Sequence, residues 1–128
     1  MISLSIDGKR PGSDLETKKI IYEISPICFW CGIKTYLWED RIEKQSRPQK
    51  ATIDHLYSKT DKRRKWFQNK KISSPILLCC YKCNHNRNHR TVELFSKKKQ
   101  PKEPNNIYIF TSVEKQIDIE NMWSNYVR

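Results

Sequence analysis

The sequence predicts one small α+β domain in which short strands alternate with helices and paired cysteines tie distant segments together. Three observations carry that expectation. The chain is 128 residues long, the length of a single domain. Apolar residues alternate in some stretches and recur at helical spacing in others. Two Cys-x-x-Cys pairs, Cys28/Cys31 and Cys80/Cys83, lie far apart in the chain. With 37% hydrophobic and 30% charged residues, the core is thin for this length and calls for additional stabilisation.

The elements follow in order. Ile2, Leu4 and Ile6 alternate with polar residues and predict a short strand, after which Asp7-Gly8 and Pro11-Gly12 mark turns. Ser13-Asp14-Leu15-Glu16 is a capping box for a helix whose Ile20, Ile21 and Ile24 share one face and which Ser25-Pro26 ends. The first cysteine pair, Cys28-Phe29-Trp30-Cys31-Gly32, forms a knuckle, and residues 36–50 are polar and irregular. Lys50 to Tyr57 alternates as a strand, Ser58 to Ser74 reads as a basic loop, and Pro75 to Leu78 is an apolar strand running into Cys79. The second knuckle, Cys80 to Cys83, leads into one helix over 84–96. Pro101 and Pro104 mark a linker, and Ile107 to Phe110 predicts a strand. Thr111-Ser112-Val113-Glu114 caps a last helix with Ile119, Met122, Trp123, Tyr126 and Val127 on one core-facing stripe.

Composition excludes several functions. No run of about 18 apolar residues predicts a membrane span. Met1 to Arg10 lacks the apolar region of a secretory leader, so a cytoplasmic, intracellular location is expected. Three glycines and no GxxxxGK[ST] argue against a phosphate-cradling loop. With 25 Lys and Arg against 14 Asp and Glu, the net charge is +11, which predicts an anionic polymer, a nucleic acid, as partner over a merely solvated basic surface.

Cys28, Cys31, Cys80 and Cys83 match a four-thiolate zinc site, because two residues between cysteines let both sulfurs turn onto one ion. The stretch between the pairs exceeds the roughly 15–20 residues of a compact zinc ribbon, so the site staples two segments around an insertion. Cys79 reads as a buried apolar thiol. Asp54-His55 closes the strand before the basic loop. Hydrolysis of a phosphodiester needs a base to activate water and a divalent cation to stabilise charge, and this pair offers one candidate for each. Asn84, directly after the last knuckle cysteine, offers a carbonyl oxygen to a hard cation. Adjacent strand residues point to opposite faces, so Asp54 and His55 can share a site only where the strand ends or bends.

The ordered set Cys28-Phe-Trp-Cys31-Gly32, Ala51-Thr-Ile-Asp54-His55-Leu56 and Leu77-Leu-Cys-Cys80-Tyr-Lys-Cys83-Asn84 resembles the HNH endonucleases, in particular their zinc-knuckle branch from phages and mobile elements. The resemblance covers roughly residues 28–96 of a single domain, leaving 1–25 and 100–128 as flanking elements. It implies a ββα-metal core, with His55 as general base, Asp54 and Asn84 holding a catalytic Mg2+ or Mn2+, and the four cysteines holding structural Zn2+. It implies hydrolysis of DNA to 5′-phosphate and 3′-hydroxyl ends by a monomer or homodimer. Two positions depart from the family: Pro75 stands where many members have Asn, with Asn69 a substitute from the loop, and Ser58 stands where Pro is usual. His85 and His89, at helical i,i+4 spacing, could share a face, and the sequence leaves open whether either is a further ligand or a phosphate contact.

Lys59, Lys62, Arg63, Arg64 and Lys65 follow the Asp-His pair, and Arg87 and Arg90 follow the second knuckle, as DNA-backbone contacts. Trp66 and Phe67 interrupt the first run, and the expectation is that they anchor the loop rather than stack on bases. The alternative to an enzyme is a non-catalytic zinc-stapled nucleic-acid-binding module, which explains the charge and the cysteines but not Asp54-His55 or Asn84.

Overall fold

The computed structural model describes residues 2–40, 46–102, 105–112 and 115–126, with Ile2, Asp40 and 123–126 described for their backbone alone. Among them the chain forms a mixed α+β domain with a four-stranded sheet and five helices. In chain order these are β1 (Ile2–Asp7), α1 (Asp14–Ile24), β2 (Ala51–His55), α2 (Lys62–Asn69), β3 (Ile76–Cys80), α3 (Tyr81–Arg87), α4 (Val92–Lys98), β4 (Asn106–Thr111) and α5 (Gln116–Tyr126). No helix among the described residues is long and apolar enough to cross a membrane.

The sheet order is β1-β4-β3-β2. β2 and β3 pair antiparallel with Ala51 opposite Cys80 and His55 opposite Ile76, β3 touches β4 at Ile76 and Tyr108, and β1 runs parallel to β4. The two flanking segments therefore close the sheet against each other. Side-chain alternation splits the core. Ile76, Leu78, Tyr108 and Phe110 face Ile21 of α1, whereas Leu77, Cys79, Ile107 and Ile109 face Phe95, Ile119, Met122 and the knuckle cysteines.

Ser13 caps α1 through Glu16 N–H, as its capping-box pattern predicts. The helix buries Thr17 and Ile21, however, not the predicted isoleucine stripe: Ile20 and Ile24 are 37% and 49% exposed. Ile21 alone of the three points at the sheet, and the turn before it is filled by Thr17, whose hydroxyl bonds Ser13 O within the helix. The basic segment after β2 is not a simple loop. Asp61 accepts from Arg63 N–H and starts α2, whose Phe67 is fully buried and stacks on Tyr57. Phe67 thus anchors this segment, with Trp66 packed edge-on against it. The single helix expected over 84–96 is two, because Asn88 takes a positive φ of 53° that ends α3 and Thr91 caps α4 anew. On α5, Ile119 and Met122 are buried as predicted, while Val113, Glu114, Val127 and the side chains of Trp123 and Tyr126 lie outside the described residues, as does Pro104.

Candidate active site and metal centre

The first knuckle is built by its own backbone. Gly32 N–H bonds Cys28 O, Cys28 N–H bonds Ile33 O, and Gly32 takes a φ of 75°. A Cβ there would also come within 2.9 Å of Lys102 Cβ, so the position requires glycine. Phe29 N–H then bonds Leu78 O, which docks the knuckle beside the end of β3. The second knuckle is the start of α3, where Cys80 Sγ caps the helix by accepting from Cys83 N–H.

These connections gather Cys28, Cys31, Cys80 and Cys83 so that their four sulfurs lie within 4.8 Å of one another. Four thiolates placed tetrahedrally around one ion at about 2.3 Å are separated by about 3.8 Å. Cys31 Sγ and Cys80 Sγ are 3.8 Å apart. Each knuckle also aims an N–H at its first sulfur, Cys31 to Cys28 and Cys83 to Cys80, both at 3.5 Å. The hydrogen bonds among Cys28, Cys80 and Cys83 draw the Cys80 thiol down, toward the thiolate that metal binding requires, and hold the Cys83 thiol up. The four cysteines could hold a metal ion. Cys79 is not among the four: its sulfur is fully buried against Thr52 Oγ1, and burial pushes its thiol well above the usual range.

On the same side of the sheet, α3 lies along β2. Asn84 donates through Nδ2 to Thr52 Oγ1 at 3.1 Å and to Ile53 O at 3.3 Å. Thr52 Oγ1 donates its own proton to Cys79 O, so both partners accept, and the amide nitrogen must face them. Asn84 Oδ1 is therefore turned away from β2 as an acceptor.

Asp54 and His55 both line one cleft of about 190 Å³, together with Ser58, Lys59, Arg64 and His89. β2 ends at His55, which lets neighbouring residues of opposite strand faces open into the same space. Pro75 helps shape this mouth, since its carbonyl accepts from Leu56 N–H just past the strand. Asn69 is exposed at the end of α2 and does not line the cleft. The Ser58 hydroxyl is buried and lacks a hydrogen-bond partner among the described residues.

Asp54 Oδ1 accepts from His55 N–H at 2.8 Å, and Oδ2 accepts from Arg87 Nη1 at 2.9 Å. Burial raises the Asp54 carboxyl above its ordinary value, against the opposing pull of Arg87. The His55 imidazole is pushed down to about 4, first by burial and then by the charges of Arg64 and Arg10. It is neutral at pH 7 and able to accept a proton.

Arg87 is the residue whose place differs most from the sequence expectation. It lines the cleft, but its side chain is only 2% exposed and its guanidinium is taken up by protein acceptors. Besides Asp54, it donates to His55 O at 2.7 Å, Leu56 O at 2.5 Å and Arg90 O at 3.2 Å, and its guanidinium lies over the Trp30 ring. It joins α3 to the turn after β2, a role for which the sequence offers no signal beyond an arginine one turn beyond Cys83-Asn84. Arg63 is similarly engaged, paired with Asp61 and Glu93 and stacked on Tyr57. Of the other predicted phosphate contacts, Lys59, Arg64 and Arg90 border the cleft, and Lys62 and Lys65 are exposed on α2. His85 stacks on Tyr81 away from the cleft, and His89 lies past the end of α3, so the two do not share a helical face.

Comparison with family models, with curated proteins and with solved structures finds no match to this chain.

Proposed function

We propose that this protein is a metal-dependent DNA endonuclease with a ββα-metal core of the HNH kind, formed by β2, β3 and α3. The observation that carries the reading is the convergence of Asp54 and His55 on one cleft, beside a helix that begins at the cysteine cluster and holds Asn84 against β2. A base and an oxygen-rich cation site are the parts that phosphodiester hydrolysis needs.

The four-cysteine ion is zinc, the metal that four thiolates at tetrahedral spacing select. It staples the two knuckles, and its role is structural. The catalytic ion is Mg2+ or Mn2+, held by Asp54 and Asn84. The donor chemistry suits a hard cation, although Asn84 is not among the residues that line the cleft. Each Asp54 oxygen has one hydrogen-bond partner and keeps further acceptor capacity, and Asn84 offers Oδ1. When bound, the ion stabilises charge on the scissile phosphate and the leaving oxygen. His55, neutral at pH 7, takes the proton from the attacking water. Lys59, Arg64 and Arg90 hold the DNA backbone across the cleft.

One observation favours a non-catalytic nucleic-acid-binding module instead: Arg87 already neutralises Asp54. Incubation of supercoiled plasmid with the zinc-loaded protein, with Mg2+ or Mn2+ and with EDTA, separates the two. Metal-dependent nicking or linearisation that His55→Ala and Asn84→Ala abolish, both remaining folded and zinc-loaded, is the expected outcome. A folded, zinc-loaded wild type that cuts neither plasmid nor branched DNA refutes the enzyme and leaves the binding module.

A further inference from the structure

A second cavity, of about 290 Å³, lies at the other end of β4, where the turn after β1 meets the end of α2 and the start of α5. We infer that it is a subsite for a backbone phosphate of the bound nucleic acid, outside the cleft that holds Asp54 and His55. Among the described residues, every charged residue lining it is a cation: Lys9, Arg10, Lys71 and Lys115. Phe110 and Ile72 form an apolar floor that suits a sugar rather than a second charge. The chain holds this geometry by specific contacts. Lys71 sits at a positive φ of 56°, which turns the chain out of α2, and Lys115 Nζ ties the start of α5 to Lys70 O and Lys71 O. Gly8 N–H bonds Thr111 O and fixes the turn that carries Lys9 and Arg10.

Like charges are brought together here without acidic neighbours among the described residues of the cavity wall. Among the described residues, the four cations form one ion pair, Arg10 with Asp14 at 2.7 Å, and that Asp14 side chain is 87% exposed. Such a cluster is stabilised by an anion and repels itself without one. Arg10 lines this cavity at the end of the turn that leads into α1. A strand whose scissile phosphate lies at His55 would meet in this cavity a second group of cations, distinct from the Lys59 and Arg64 of the cleft. None of the four residues belongs to the short segments that carry the nuclease motifs, so this subsite extends the recognition surface toward the flanks of the domain. The identity of the anion as a DNA phosphate rests on the nuclease reading.

The test is DNA binding without any divalent ion, which does not depend on cleavage. Lys9→Gln/Lys71→Gln removes two exposed cations whose ammonium groups make no hydrogen bond or ion pair among the described residues. Lys34→Gln/Lys102→Gln, equal in charge, removes two that do not line the cavity. Affinity of the zinc-loaded protein for a short labelled duplex is measured against salt. Each lost phosphate contact lowers the log–log salt slope by about 0.9, so the first variant, which frees this one phosphate, should lose about 0.9 and bind about eightfold more weakly at about 0.1 M salt. The control should change far less. Equal slopes for the two variants overturn the subsite, whether or not the wild type cuts DNA. A wild type that binds with a steep slope, loses it selectively in Lys9→Gln/Lys71→Gln and yet never cleaves keeps the subsite and refutes only the enzyme.

Discussion

Replacing Arg87 by Met tests the central packing of the site. Methionine keeps most of the aliphatic stem, so the change removes the guanidinium with little loss of volume. Four hydrogen bonds disappear, to Asp54, His55, Leu56 and Arg90. Leu56 is fully buried, and its carbonyl loses its partner at a cost of about 1–3 kcal/mol. Asp54 loses its counter-charge at 20% exposure, which removes part, not all, of the water that would compensate. An uncompensated buried charge costs about 3–5 kcal/mol, and the exposure of Asp54 reduces that. Together the loss should be about 3 kcal/mol, a large fraction of the roughly 5–15 kcal/mol that holds a domain together. At this chain length that corresponds to a fall in Tm on the order of 10 °C. Thermal unfolding of zinc-loaded wild type, Arg87→Met, Asp54→Asn and the double variant measures it, and the cycle isolates the pair. A coupling of about 1–3 kcal/mol is expected. If Arg87→Met melts within about 2 °C of wild type, or the cycle shows no coupling, Arg87 does not tie α3 to β2 as its geometry implies.

Other outcomes follow from the same geometry. Cys80→Ser removes one sulfur of the cluster and the cap of α3, so it should lose zinc by metal analysis and helical signal by circular dichroism; unchanged spectra after verified zinc loss would refute a stabilising staple. Stability should also fall with acid. His55 binds fewer protons folded than unfolded between its ordinary 6.5 and about 4, so its contribution is complete above pH 6.5 and is lost as pH drops through about 4. The raised Asp54 carboxyl acts in the opposite sense near the bottom of that window. Urea unfolding across this range, in zinc-loaded protein free of other divalent ions, should show a positive slope that His55→Gln reduces; equal slopes would place the lowered His55 titration in doubt.

Both knuckles, their order and the Asp54-His55 pair were legible because they are local patterns whose chemistry depends on spacing along the chain. Cys28 and Cys31 can be assigned to one ion from two intervening residues, and the capping boxes declare a helix start within four. The hairpin strands were legible for the same reason, since alternation repeats every second residue. α2 was not, because its mostly charged sequence shows little helical periodicity, and only Asp61 and Phe67 reveal a cap and an anchor. The break at Asn88 was hidden because asparagine permits, but does not announce, a left-handed turn.

The amino-acid sequence by itself determined which groups are available: four thiolates, a carboxylate beside an imidazole, an amide after the last cysteine, and an excess of cations. Only the tertiary structure decided which of them meet. Arg87 turns inward because Asp54 and two backbone carbonyls at the end of β2 offer a buried guanidinium its acceptors. Asn84 Oδ1 faces away from β2 because Thr52 and Ile53 take its nitrogen. Lys9 and Lys71, distant in the chain, line one cavity because β1 closes the sheet beside β4. These are partnerships between residues far apart in sequence, and hydrogen-bond and charge complementarity across packed elements selects them in a way that no local spacing records.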